Sequence, residues 1–113
     1  MTLFEEKFFK LFINKHGINT FEEIKKNITD EAGKEVSSDY ISTIFNIAYT
    51  KYLGISENRI DDFIKDILGQ DDILNYDIKE ILNNHEQSIN KIVKYIESMH
   101  LMIHTKKLLT SMF

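Results

Sequence analysis

Hydrophobic residues recur every three to four positions through most of the chain, the spacing that gives a helix one apolar face. Leu3, Phe4, Phe8, Leu11 and Phe12 form the first such run, and Phe21, Ile24 and Ile28 the second. Tyr40, Ile41, Ile44, Phe45, Ala48 and Tyr52 form the third, with Ile47 and Tyr49 widening it, and Ile60, Phe63, Ile64, Ile67 and Leu68 form the fourth. Gly17, Gly33, Gly54 and Gly69 follow these runs in turn, where left-handed C-caps belong, and no proline interrupts any of them. Thr2 with Glu5 and Thr20 with Glu23 match the capping box, in which a hydroxyl takes an orphan backbone N–H and a glutamate reciprocates. Ser37 or Ser38 is placed to open the third helix and Ser56 the fourth. The pattern predicts an all-α fold, a small bundle of about five helices in a single domain spanning 1–113. Residues 1–70 would supply four helices, and 71–113 a long C-terminal one.

That last segment carries its own period. Ile78, Leu82, His85, Ile89, Ile92, Ile96, Met99, Ile103, Lys106 and Phe113 fall on alternating steps of four and three, the seam of a heptad repeat, with His85 and Lys106 as polar interruptions. A helix of about 40 residues would be about 60 Å long, at 1.5 Å per residue. It would leave much of its apolar face uncovered in a monomer, so the spacing predicts a homodimer through Ile78, Leu82, Ile89, Ile92, Ile96, Met99 and Ile103. Met102 and Met112 with Phe113 would pack at the same seam. The alternative is a break at Asn83, Asn84 and His85 that folds the segment back onto a compact bundle.

Composition narrows the class. At 113 residues, with 42% hydrophobic and 12% aromatic content, the chain is long enough to bury a core and too apolar to be disordered. It has no cysteine, so neither disulfides nor thiolate metal sites are available, which fits the cytoplasm. No apolar run approaches the roughly 18 residues that span a bilayer, and glutamates near the start are unlike a signal peptide. Heavy use of Ile, Lys and Asn with a single arginine, Arg59, suggests an AT-rich genome such as that of a low-GC bacterium, its phage or its plasmid.

"SSDYISTIF", residues 37 to 45, resembles the S-x-x-Y-L-S-x-L-F segment of AraC-type DNA-binding domains, and "FFKLFINKHGINTFEEI" loosely resembles the first helix of TetR-type domains. The resemblance implies a helix-turn-helix regulator reading DNA through Asp39, Ser42, Thr43 and Asn46. Two features oppose it. The apolar stripe on residues 38 to 53 leaves little exposed face for base edges, and one arginine in a chain of net charge −4 is poorly suited to phosphates and guanines.

Charge points to a protein partner. Between Glu57 and Glu80 stand Glu57, Asp61, Asp62, Asp66, Asp71, Asp72, Asp77 and Glu80 against Arg59, Lys65 and Lys79, whereas the tail from Lys91 is net positive. Such a patch can steer a basic partner, for instance a nuclease or a nucleic-acid-binding protein. Asp61, Asp62, Asp66, Asp71 and Asp72 are its candidate contacts. Glu97, His100 and His104 lie at i, i+3 and i+7, but the second Glu-x-x-His of a di-iron bundle is missing, so no metal site is expected. With no nucleophile turn and no glycine-rich phosphate loop, no enzyme and no cofactor are expected either. The expected function is that of a non-enzymatic regulatory or inhibitory protein acting by protein–protein interaction. The alternative is a helix-turn-helix transcriptional regulator that dimerises through its C-terminal helix.

Overall fold

The computed structural model describes residues 3–68 and 76–99. Thr2, Gly69, Asp71, Asp72 and everything after Met99, including His100, Met102, Ile103, His104, Lys106, Met112 and Phe113, lie outside the described residues. Within them every regular element is helical. α1 spans Leu3–His16, α2 Ile18–Ala32 and α3 Ser38–Tyr52. A 3₁₀ turn, Glu57–Arg59, leads into the short α4, Ile60–Phe63, which widens into a π-helical turn at Ile64–Leu68. α5 spans Ile78–Asn84 and α6 Glu86–Glu97.

Three glycines shape the first half as the sequence predicts, but the α1–α2 corner is tighter. Gly17 takes φ +92°, a region side-chain-bearing residues rarely enter, so the chain turns at once and α2 starts at Ile18. Thr20 therefore sits inside the helix, and no side-chain cap of the expected capping-box kind forms there. Gly54, at φ +84°, completes a Schellman end to α3: its N–H reaches the Lys51 carbonyl at 3.0 Å, and the Ile55 N–H reaches that of Thr50 at 3.2 Å. Ser37 caps α3 as expected, its hydroxyl accepting from the Tyr40 N–H at 3.1 Å.

α3 is the centre of the fold. All ten residues from Ile41 to Thr50 are buried, because α1 and α2 cover one side and α6 packs along another. Phe45 sits among Phe8, Phe9, Phe12 and Phe21, with ring centroids at 6.4, 5.3, 5.6 and 5.3 Å. The polar residues carried inward satisfy themselves locally: the Thr43 and Thr50 hydroxyls donate to the carbonyls of Asp39 and Asn46 at 2.8 and 2.7 Å. Ser42, Thr43 and Asn46 are thus core residues, whereas Asp39, the fourth position of the face expected to read bases, is exposed. Leu11, expected on the inner stripe of α1, is 48% exposed, and Phe9 takes its place in the core.

The single long C-terminal helix is corrected. α5 stops at Asn84, His85 leaves helical geometry at φ −124°, ψ 26°, and α6 starts at Glu86 and ends at Glu97. The break has no glycine or proline. Its physical reason is the imidazole, which is drawn fully into the core between α2 and α3. The heptad seam does mark an inward face: Ile78, Ile89, Ile92, Ile96 and Met99 are buried within the chain's own core, and Leu82 is half-buried against it. These side chains are occupied internally, so the uncovered stripe that motivated a dimer through them is absent from the described residues. That one core joins residues of all six helices.

Candidate functional site

Asp77 opens α5 by accepting the N–H groups of Lys79 and Glu80 at 3.1 and 3.3 Å, and this cap fixes the start of α5 beside the turn that joins α2 to α3. A groove of about 550 Å³ lies between them, lined on the turn side by Lys34, Glu35, Val36 and Ser37 and on the α5 side by Asp77, Glu80, Ile81 and Asn84. Tyr40 and Tyr76 also line it, their rings packed edge to face with centroids 5.5 Å apart. Tyr76 and Asp77 also line a second depression of about 400 Å³, bounded by Glu57, Asn58, Asp61, Lys79 and Leu82. The two share a wall, so one surface presents five carboxylates, Glu35, Glu57, Asp61, Asp77 and Glu80, against Lys34 and Lys79.

The acidic candidates read from the sequence divide accordingly. Asp61 lines the second depression; Asp62 and Asp66 are exposed as expected but line neither hollow. Asp71 and Asp72 lie outside the described residues. One Asp61 carboxylate oxygen is buried with no hydrogen-bond partner among the described residues. Burial foremost, then the negative charges of Asp62 and Asp77, push the Asp61 carboxyl above the usual carboxylate range.

Behind Tyr40 runs a chain of polar contacts that no motif announces. The Tyr40 hydroxyl lies 2.6 Å from Nε2 of His85, whose Nδ1 lies 2.8 Å from Oε1 of Glu31, and the Ser88 hydroxyl donates to the same oxygen at 2.7 Å. His85 is completely buried, whereas Glu31 is 22% exposed and, with Ser88, lines a separate hollow of about 300 Å³ between α2 and α6. The burial of Tyr40, followed by the charge of Glu80, raises its phenol pKa. In the sequence His85 is visible as a polar residue interrupting an isoleucine seam and as part of the alternative break with Asn83 and Asn84, and the first is the signal that marks its role: a polar side chain at a core position needs partners.

Among the described residues no group of three His, Cys, Asp or Glu side chains is placed to hold a metal ion; of the predicted cluster only Glu97 is among them, and His100 and His104 lie outside. No described helix is long and apolar enough to cross a membrane. Comparison of the chain with protein-family models, with curated proteins and with solved structures finds no match.

Proposed function

We propose that the chain is a non-enzymatic binding module that takes a basic segment of another protein along the groove floored by Tyr40 and Tyr76. The supporting observation is the juxtaposition itself: two paired aromatic rings with polar tips, set in a surface with five carboxylates and two lysines. Tyrosine combines apolar area with a hydrogen-bonding end at low entropic cost and concentrates at binding hot spots. Surrounding negative charge raises the local concentration of a cationic segment and speeds its encounter. The partner's contacts would centre on Glu35, Tyr40, Tyr76, Asp77 and Glu80, with Asp61 and Glu57 extending the track.

Selection of a displayed library of random short peptides against the full chain tests this. Enriched peptides should carry Lys or Arg beside an apolar residue. The double variant Glu35→Lys/Glu80→Lys should slow their association and flatten its salt dependence, with the fold unchanged because Glu35 and Glu80 are exposed. Enrichment of acidic or neutral peptides, or association rates untouched by the double reversal, would remove the groove as the binding site.

A further inference from the structure

The hydrogen-bonded chain behind the groove admits one arrangement of protons when its histidine is neutral. An ionised carboxylate only accepts, so Glu31 takes the Ser88 hydroxyl hydrogen and the Nδ1–H of His85. A neutral imidazole protonated on Nδ1 has a bare Nε2, and the hydrogen that reaches it, across 2.6 Å, is that of the Tyr40 phenol. Tyr40 thus directs its only hydrogen inward and turns lone pairs to the groove.

We propose that His85 is a positioning residue: it holds the Tyr40 hydroxyl as an obligate acceptor, so that this point of the groove takes a Lys ammonium or Arg guanidinium and rejects carboxylates. The inference rests on the groove being a ligand site and names the chemistry it selects. His85 is built for this role. Its ring is fully buried, Glu31 of α2 and Tyr40 of α3 hold its two nitrogens, and the ring packs against that of Tyr40 with centroids 5.4 Å apart. Glu31, Tyr40 and, beyond them, Glu80 and Tyr76 are the titratable groups that bear on this chain of contacts. Protonating His85 places a hydrogen on Nε2, which must then be donated to the Tyr40 oxygen. The phenol hydrogen swings outward, and the acceptor becomes a donor beside a new positive charge. Binding of a cation and protonation of His85 therefore oppose each other, and by linkage the effect is reciprocal.

Nuclear magnetic resonance on the ¹⁵N-labelled full chain tests the proposal without a known partner. Long-range proton–nitrogen spectra should show the neutral His85 ring protonated on Nδ1 and bare on Nε2. Methylguanidinium, but not acetate, should then shift the Tyr40 and Tyr76 resonances. Its affinity should drop about tenfold, the worth of one charge-assisted hydrogen bond, in Tyr40→Phe and again in the native chain as the His85 shifts report ring protonation. Tyr40→Phe should also shrink the part of the pH dependence that tracks the His85 shifts, leaving only the effect of its charge, a result that a histidine with no hold on the hydroxyl would not produce. A ring protonated on Nε2, acetate binding equal to that of methylguanidinium, or an unchanged Tyr40→Phe would each overturn the proposal. If methylguanidinium behaves as expected while the peptide library yields no basic binder, the acceptor site stands and the peptide-groove reading falls.

Discussion

Truncating Phe45 to alanine gives the sharpest test of α3 as a core helix. The side chain has no exposed surface and four rings around it, two of them nearly perpendicular to it at 88° and 89°. Burial of a phenylalanine stabilises by about 1.5–3 kcal/mol, and the cavity left behind brings the usual cost of Phe→Ala to about 3–5 kcal/mol. Four aromatic neighbours place this site at the upper end, about 4–5 kcal/mol. For a domain of this size, whose total stability is of the order of 6–17 kcal/mol, that is a large fraction. The chain has no tryptophan, so urea unfolding is best followed by far-ultraviolet circular dichroism. With a slope of about 2 kcal/mol per M, the midpoint should fall by about 2 M. Phe45→Leu, which keeps much of the apolar volume and loses only the ring edges, should cost about 1–2 kcal/mol. Leu11→Ala, at a half-exposed position, should be close to neutral. A midpoint shift below about 0.5 M for Phe45→Ala would refute the packing on which the whole description of α3 depends.

Three further outcomes follow from particular contacts. Glu31→Ala removes the acceptor shared by buried His85 and Ser88 and should destabilise by about 2–4 kcal/mol, with Glu31→Gln milder; equal midpoints for the alanine variant and the native chain in urea would count against the contacts described. Asp61→Asn should raise the melting temperature at neutral pH. Because the folded-state carboxyl binds its proton more tightly than the unfolded one, stability falls as pH rises from the ordinary value of 3.8 through the raised one, so the advantage should vanish in acid below that window; an advantage that persists there would contradict the charge-based cause. Gly54→Ala should cost about 1 kcal/mol by calorimetry through backbone strain alone, since no atom lies within 4 Å of where its Cβ would stand.

Much of the fold is legible in the sequence because the signals are local. Gly17, Gly33 and Gly54 end α1, α2 and the α3 region where the apolar stripes stop, and Ser37 caps α3. Thr20 misleads because a capping box describes what a side chain can do, whereas Gly17 had already turned the backbone and started the helix. The corner at His85 is harder to see. Helix periodicity continues through it, and its cause lies 54 and 45 residues away, on Glu31 and Tyr40. The seam residues themselves illustrate a general ambiguity: a stripe of Ile89, Ile92 and Ile96 states that a face is buried, not which chain buries it. The groove is likewise invisible in one dimension. Sequence charge density marks Glu57, Asp61, Asp77 and Glu80 together with Asp62 and Asp66 without separating them, whereas folding leaves the last two outside the hollows, brings Glu35 from the α2–α3 turn to the acids of α5 and gives Asp77 a capping duty.

The burial of α3 on every side also has a meaning for how the chain is made. α3 is complete at Tyr52, but α6, against which it packs most closely, ends at Glu97, about 45 residues later. At synthesis rates of about 5–20 residues per second, Ile44, Ile47 and their neighbours wait roughly two to nine seconds for that cover. During the wait the growing chain displays an apolar helix face to water. It is an opening for chaperones, and a point of weakness for any fragment cut short before α6, which should be insoluble or rapidly degraded where the full chain is not.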